Sequence, residues 1–177
     1  PNNTITEQSS DIGNSFISTM SNKLEKNLKE NSSKSTKIIN LRFGIVLSKK
    51  GGSLTYLKLI YNFFIGGKID KGNQWWSWIH IDDVINSIIH IIDKNIEGSL
   101  NITSPNPEKQ KDFSRTLGKI MKRPYFIITP SILLKPVLGE FISEIKDSRK
   151  VHPQLLLKSG YDFKYDKLEK ALKNILK

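Results

Sequence analysis

The stretch from Gly72 to Asp83, Gly-Asn-Gln-Trp-Trp-Ser-Trp-Ile-His-Ile-Asp-Asp, constrains this chain more than any other. It gathers all three tryptophans, one of the three histidines and two adjacent acids. An indole carries a large apolar area that a fold must bury or use. Directly after the acids, Val84, Ile85, Ile88, Ile89 and Ile92 recur at helical spacing, with Asn86, Ser87, His90 and Asp93 opposite. The block therefore reads as a loop and short strand leading into a helix that Asp82 or Asp83 caps. In a regular strand Trp76, Trp78 and His80 share one face, which is either a cleft or a core.

The segments around this block alternate between strand and helix. Residues 1–12 are polar and read as irregular. Phe16, Ile17, Met20, Leu24 and Leu28 mark an amphipathic helix over roughly 13–30. Residues 38–47 are short, β-branched and apolar, as in a strand buried on both faces of a parallel sheet. Gly51-Gly52 is a turn, and Leu54 to Ile65 is a helix ended by Gly66-Gly67. Leu100 to Thr103 is a further strand. This alternation predicts an α/β fold, with 38–47 pairing in parallel with 99–103 and the helix at 83–94 as the crossover of a right-handed unit.

Pro105-Asn106-Pro107 marks a boundary, because proline cannot sit inside a helix or a central strand. Beyond it, Phe113, Leu117, Ile120 and Met121 form a helical stripe. Tyr125 to Ile128 is a short strand, and Ser131 to Ile145 a helix containing Pro136. Leu168, Ala171, Leu172 and Ile175 line a last helix capped by Asp166, with Glu169 at the capping-box position.

Composition narrows the function. Of 177 residues, 37% are hydrophobic and 25% charged, as in a globular protein rather than a disordered one. No apolar run approaches the roughly 20 residues that span a bilayer, so no membrane partner is expected. The formal charge of +11 raises nucleic acid as a partner. The lysines are dispersed along the chain at solvated helical positions, so nucleic-acid binding is not the reading adopted. There is no cysteine. His80, His90 and His152 lack metal-ligand spacing, and no metal is expected.

Several side chains are candidates for chemistry. His80 titrates at about 6.5 when unperturbed and is the candidate acid or base, the alternative being a buried structural histidine. Gln74, Trp75 and Trp76 are candidates for substrate contact, with core packing as the alternative for the rings. Asp82 and Asp83 could be paired carboxylates, but their place before an apolar helix favours capping. Arg42, inside an apolar strand, requires a carboxylate, backbone carbonyls or a ligand phosphate.

Three blocks together resemble the YfcH-like epimerase family, an atypical branch of the extended short-chain dehydrogenase/reductases. They are Leu41-Arg42-Phe43-Gly44-Ile45-Val46-Leu47 with Gly51-Gly52, Gln74 to Asp83, and Asn101-Ile102-Thr103-Ser104-Pro105-Asn106-Pro107. Arg123-Pro124, Leu138-Gly139-Glu140 and Gly160 to Tyr165 fit that family's C-terminal domain of unknown function. The resemblance implies that residues 1–104 are the C-terminal half of a Rossmann-type NAD(P)-binding domain. It makes 105–177 a small, mainly helical substrate-side domain. The family's Gly-x-x-Gly-x-x-Gly phosphate turn is not in this sequence, so the 177 residues alone should bind NAD or NADP weakly.

The resemblance further implies that Gly44, Ile45, Val46 and Leu47 lie at the nicotinamide end of the cofactor, because ligands of such sheets sit beyond the carboxyl ends of strands. A small-molecule substrate and a cytoplasmic location are expected; oligomeric state is open. Two departures stand out. The Tyr and Lys of the family's Tyr-x-x-x-Lys helix correspond to Ile17 and Ser21 here, and the arginine that often grips a diphosphate corresponds to Trp76. The chain is thus read as part of an NAD(P)-binding epimerase-family oxidoreductase, or as a degenerate dinucleotide-binding or regulatory protein.

Overall fold

The computed structural model describes residues 3–9, 16–31, 33, 35–133, 139 and 146–177, with 16 and 17 as backbone only. The apolar run expected as one strand is two, β2 (Ile39–Phe43) and β3 (Ile45–Leu47). β2 pairs in parallel with β7 (Gly98–Ile102), from Ile39 opposite Gly98 to Phe43 opposite Ile102. β3 changes partner and pairs in parallel with β6 (Trp78–His80).

Gly44 sits at the switch. Its N–H donates to the Ile102 carbonyl at 3.2 Å, while the next N–H, of Ile45, donates to the Ser77 carbonyl at 2.7 Å. The Trp78 carbonyl, pointing to the opposite edge of β6 from that of Ser77, accepts from Ser104 N–H at 2.6 Å. β6 is therefore wedged between β3 and the chain leaving β7. A Cβ at Gly44 would lie 2.4 Å from the Ser77 carbonyl oxygen and 2.9 Å from Thr103 Cγ2, so only glycine fits the wedge.

The parallel pairing of 39–43 with 98–102 is as expected, but the connection is longer than one helix. It contains α2 (Ser53–Asn62), β4 (Gly67–Ile69), β5 (Trp75–Trp76), β6 and α3 (Ile81–Asp93). After β7 come β8 (Glu108–Lys109), α4 (Gln110–Met121), β9 (Ile127–Thr129), β10 (Lys150–Val151), α5 (Gln154–Lys158) and α6 (Leu168–Leu176). The helix expected over 131–145 falls mostly outside the described residues.

Three small pairings tie the regions before and after residue 104 together. β1 (Thr4–Ile5), in a segment expected to be irregular, pairs with β10; β4 pairs with β9; β5 runs antiparallel to β8. Two cores flank β3 and β6. One holds Leu47, Leu54, Trp76, Trp78, Phe113 and Leu172; the other holds Ile79, Val84, Leu100, Ile102, Leu156 and Phe163. The buried amide of Gln110 joins β4 to α4, accepting from Ile69 N–H at 3.0 Å and donating to Ser114 Oγ at 2.8 Å.

α1 (Phe16–Asn31) forms as its periodicity requires, yet Met20, Leu24 and Leu28 on its stripe are exposed. It is held through Glu25, whose carboxylate takes a two-pronged bond from Arg42 at 2.8 and 2.7 Å and a hydroxyl bond from Ser99 at 3.2 Å.

Candidate functional site

β6 and α3 place His80, and local packing explains why it is not a free base. Burial leaves the residue 1% exposed. Its Nδ1 accepts from Asp82 N–H at 3.0 Å, making His80 itself the N-cap of α3. Its Nε2 therefore carries the proton and meets Asn174 Oδ1 at 3.1 Å. Burial lowers its pKa, against the opposing pull of Asp82 and Asn174. Of the two alternatives for this face, cleft or core, the ring lies in the core. The expected aspartate cap is corrected, because neither aspartate caps the helix.

Asp83 is drawn elsewhere. Its side chain is fully buried, with Oδ1 accepting from Tyr161 hydroxyl at 3.1 Å and Lys164 N–H at 2.9 Å, and Oδ2 from Tyr165 N–H at 2.9 Å. It latches the Gly160–Tyr165 segment to the start of α3. Burial, and then the nearby Asp83 charge, push the Tyr161 hydroxyl well above the ordinary phenol range. At α6 the N-cap is Lys167, without a side-chain cap bond, rather than Asp166.

The three indoles part company. Trp76 is 2% exposed and packs edge-on against Phe113, ring centroids 5.0 Å apart, so it belongs to the core and not to a pocket. Trp78 is fully buried, its Nε1–H donating to the Asn106 carbonyl at 3.0 Å. Trp75, on the opposite side of β5 from Trp76, lines an open groove of ≈ 850 Å³ together with Glu108, Lys150, His152 and Lys167. That volume suits a small molecule. Lys109 and Lys150 hold their ammonium groups 5.4 and 4.8 Å from the Trp75 ring centroid. The Trp75 Nε1–H is buried and finds no acceptor among the described residues.

Of the two glutamates that line the groove, Glu108 is the half-buried one. Burial raises its carboxyl above the ordinary range, and Asp112 adds to the shift. Sequence reading missed Glu108, Lys150 and Lys167, because the strand pairings that gather them join segments far apart in the chain. Gln74 does not line the groove; its side-chain amide donates to the Ile69 carbonyl at 3.4 Å. Gly44 is accounted for by the wedge, whereas Ile45 and Val46 are half-buried and Leu47 is in the core. Arg42 resolves as an ion pair with Glu25, which holds the Glu25 carboxyl below its ordinary range. Among the described residues no cluster of three or more His, Cys, Asp or Glu could hold a metal ion, and no helix is long and apolar enough to cross a membrane.

With this geometry in view, comparison with known proteins is informative. The human epimerase family protein SDR39U1 (isoform 2), solved with NADPH, matches 98% of this chain and 59% of its own at a TM-score of 0.89 and 30% identity. An epimerase family protein of Staphylococcus epidermidis is 42% identical over 143 residues, covering 80% of this chain and 48% of that protein. The chain belongs to the epimerase family. Residues 129–175 of this epimerase-family chain match a domain of unknown function, DUF1731. A nucleoside-diphosphate sugar epimerase from Corynebacterium glutamicum matches 99% of the chain and 34% of its own at a TM-score of 0.74 and 26% identity. The dTDP-glucose 4,6-dehydratase of Bacillus anthracis, solved with NAD, is 14% identical at a TM-score of 0.71 and shares the α/β fold. The chain spans about half the length of the curated relatives it matches.

Proposed function

We propose that this chain is part of an NAD(P)-dependent epimerase-family oxidoreductase whose small-molecule substrate occupies the groove beside Trp75. The observation that carries the reading is the fit, over 98% of the chain, to a family member solved with NADPH. Residues 1–104 are assigned to the cofactor side and 105–177 to the substrate side.

The residues at the carboxyl end of β2 fit one part of such a cofactor. Ile45 and Val46 offer half-buried apolar side chains, which suit a flat uncharged ring and would shield it from water. They offer no charge for a diphosphate, and the tight packing of Gly44 against Ser77 and Thr103 leaves it no cradle for one. A bound nicotinamide supplies hydride transfer. Trp75 positions the substrate ring, and Glu108, its carboxyl raised above the ordinary range by burial, exchanges a proton with the substrate oxygen. His80 is assigned a structural role, since protonating Nδ1 would break the α3 cap.

The second reading, a dinucleotide-binding or regulatory protein without this chemistry, is favoured by Ile17 and Ser21 at the positions of the family's Tyr and Lys. Calorimetric titration of the full-length protein with NADPH and NADH, followed by absorbance of the reduced nicotinamide during incubation with carbonyl compounds, separates the two. Binding with oxidation that falls by on the order of 10²–10⁴-fold in Glu108→Gln supports the enzyme. Binding without oxidation supports the regulatory reading, and no binding overturns both.

A further inference from the structure

We infer that the groove beside Trp75 is an anion-recognition site for a ring compound carrying a phosphate or carboxylate, with Trp75 taking the ring and Lys150 and Lys167 the charge. This deepens, and rests on, the assignment of the groove to a small-molecule substrate. Three observations converge on it.

First, two lysines and two glutamates line the groove, and a third lysine stands over its indole. Lys150 and Lys167 line it and Lys109 sits over the Trp75 ring, and none of the three meets a carboxylate among the described residues. Second, the acids there are compensated. Glu169 is tied to Lys173 at 2.6 Å, and burial biases Glu108 toward its neutral form. Third, Trp75 is half-buried while its neighbours Trp76 and Trp78 are in the core, so it alone of the indoles can meet a ligand.

The same geometry sets the kind of anion. Where the family's resemblance places a phosphate-gripping arginine, this chain has Trp76, buried against Phe113. Among the described residues no guanidinium fork lines the groove; the cations are ammonium groups, which act as point charges without a planar bidentate geometry. They accept a phosphate ester or a carboxylate, provided that the ring reaches Trp75. Ring contact and charge contact are therefore both required.

The test is calorimetric titration of the full-length protein, saturated with NADPH so that the cofactor site is closed to the probes. The probes are phenyl phosphate and benzoate, which carry ring and charge, phenol, which carries the ring, and inorganic phosphate, which carries the charge. At least one ring-linked anion should bind about tenfold or more tightly than both phenol and inorganic phosphate, as expected when a charge-assisted bond and a stacked ring act together. Comparison of phenyl phosphate with benzoate identifies the anion. Lys167→Gln, at an exposed position that leaves folding intact, and Lys150→Gln should each remove most of that advantage without changing phenol binding or NADPH affinity. Trp75→Leu should reduce the ring-linked anion to the affinity of inorganic phosphate. Equal binding of phenol and phenyl phosphate, or no loss in both lysine variants, overturns the inference while NADPH binding leaves the enzyme reading standing. Failure to bind NADPH overturns that reading separately, and the same probes without cofactor then decide the groove.

Discussion

The imidazole of His80 lies on the phenol ring of Tyr165, ring centroids 3.8 Å apart and planes 26° from parallel. The contact joins the end of β6 to the segment before α6, and Asp83 fixes the same segment through the Tyr165 N–H. His80→Ala removes the stack and the α3 cap and leaves the Asp82 N–H without its acceptor. We expect a loss of about 2–3 kcal/mol in urea unfolding, combining a cap with a buried truncation. Turnover per folded molecule should be unchanged. A loss of 10²-fold or more in kcat, with stability intact, would make His80 an acid or base after all.

The same residue makes stability depend on pH. Its folded-state pKa lies below its ordinary value, chiefly through burial. The unfolded chain therefore binds the proton first as pH falls below about 6.5. The stabilisation is complete above that value and is lost as pH drops toward the folded-state pKa, with a slope of up to about 1.4 kcal/mol per pH unit. Unfolding curves from pH 7.5 to 5 should show this decline, and His80→Gln should flatten it; a parallel decline in the variant would refute the assignment.

Asp83 takes three bonds from Tyr161, Lys164 and Tyr165 at a fully buried position. Asp83→Ala leaves two backbone donors unpaired and the Tyr161 hydroxyl with only the residue-83 carbonyl at 3.2 Å, and we expect a cost of about 3–5 kcal/mol. Asp83→Asn, which keeps one acceptor oxygen, should cost less. Hydrogen exchange at the Lys164 and Tyr165 amides should accelerate in both variants while that of β2 and β7 is affected only through global unfolding.

The sequence made some of this legible and not the rest, for physical reasons. Hydrophobic period revealed the α3 and α4 helices and the β2–β7 pairing, because local spacing decides which face is buried. It could not reveal the break at Gly44, since an apolar run looks the same whether or not it changes partner. Propensity placed the α3 cap on Asp82 or Asp83, but three donors from a segment some eighty residues away claim Asp83. Period 2 placed Trp76 beside Trp78 and His80 on one face, and all three are indeed buried. Which indole is left to the groove depends on the pairing of β5 with β8 and on Lys150 of β10, and neither leaves a local signal.

Gly44→Ala tests the wedge. Its Cβ would meet the Ser77 carbonyl, which is backbone already bonded to Ile45, and relief requires β3 and β6 to separate. We expect a loss of about 2 kcal/mol or more in thermal or urea unfolding. Gly51→Ala is the matched control, because a Cβ there meets nothing within 4 Å. Equal stability of the two variants would show that the strand switch tolerates a side chain.

Arg42 offers the last test. Its guanidinium grips both Glu25 oxygens, and with Ser99 this is how α1 is fastened to β2 and β7. Arg42→Lys keeps the charge and loses the fork, and Arg42→Met loses both. Because the arginine side chain is 40% exposed, solvent screening keeps the pair's contribution to about 1 kcal/mol. The Glu25 carboxyl lies below its ordinary range, mainly through its bond to Arg42. The pair's stabilisation is thus present above the unfolded carboxylate pKa of about 4.3 and lost as pH falls through the folded value. Arg42→Met should lower stability at pH 7 and narrow its gap from the parent near pH 3, with Arg42→Lys between them. A pH-independent gap would mean that the arginine acts through its packed stem and not through Glu25.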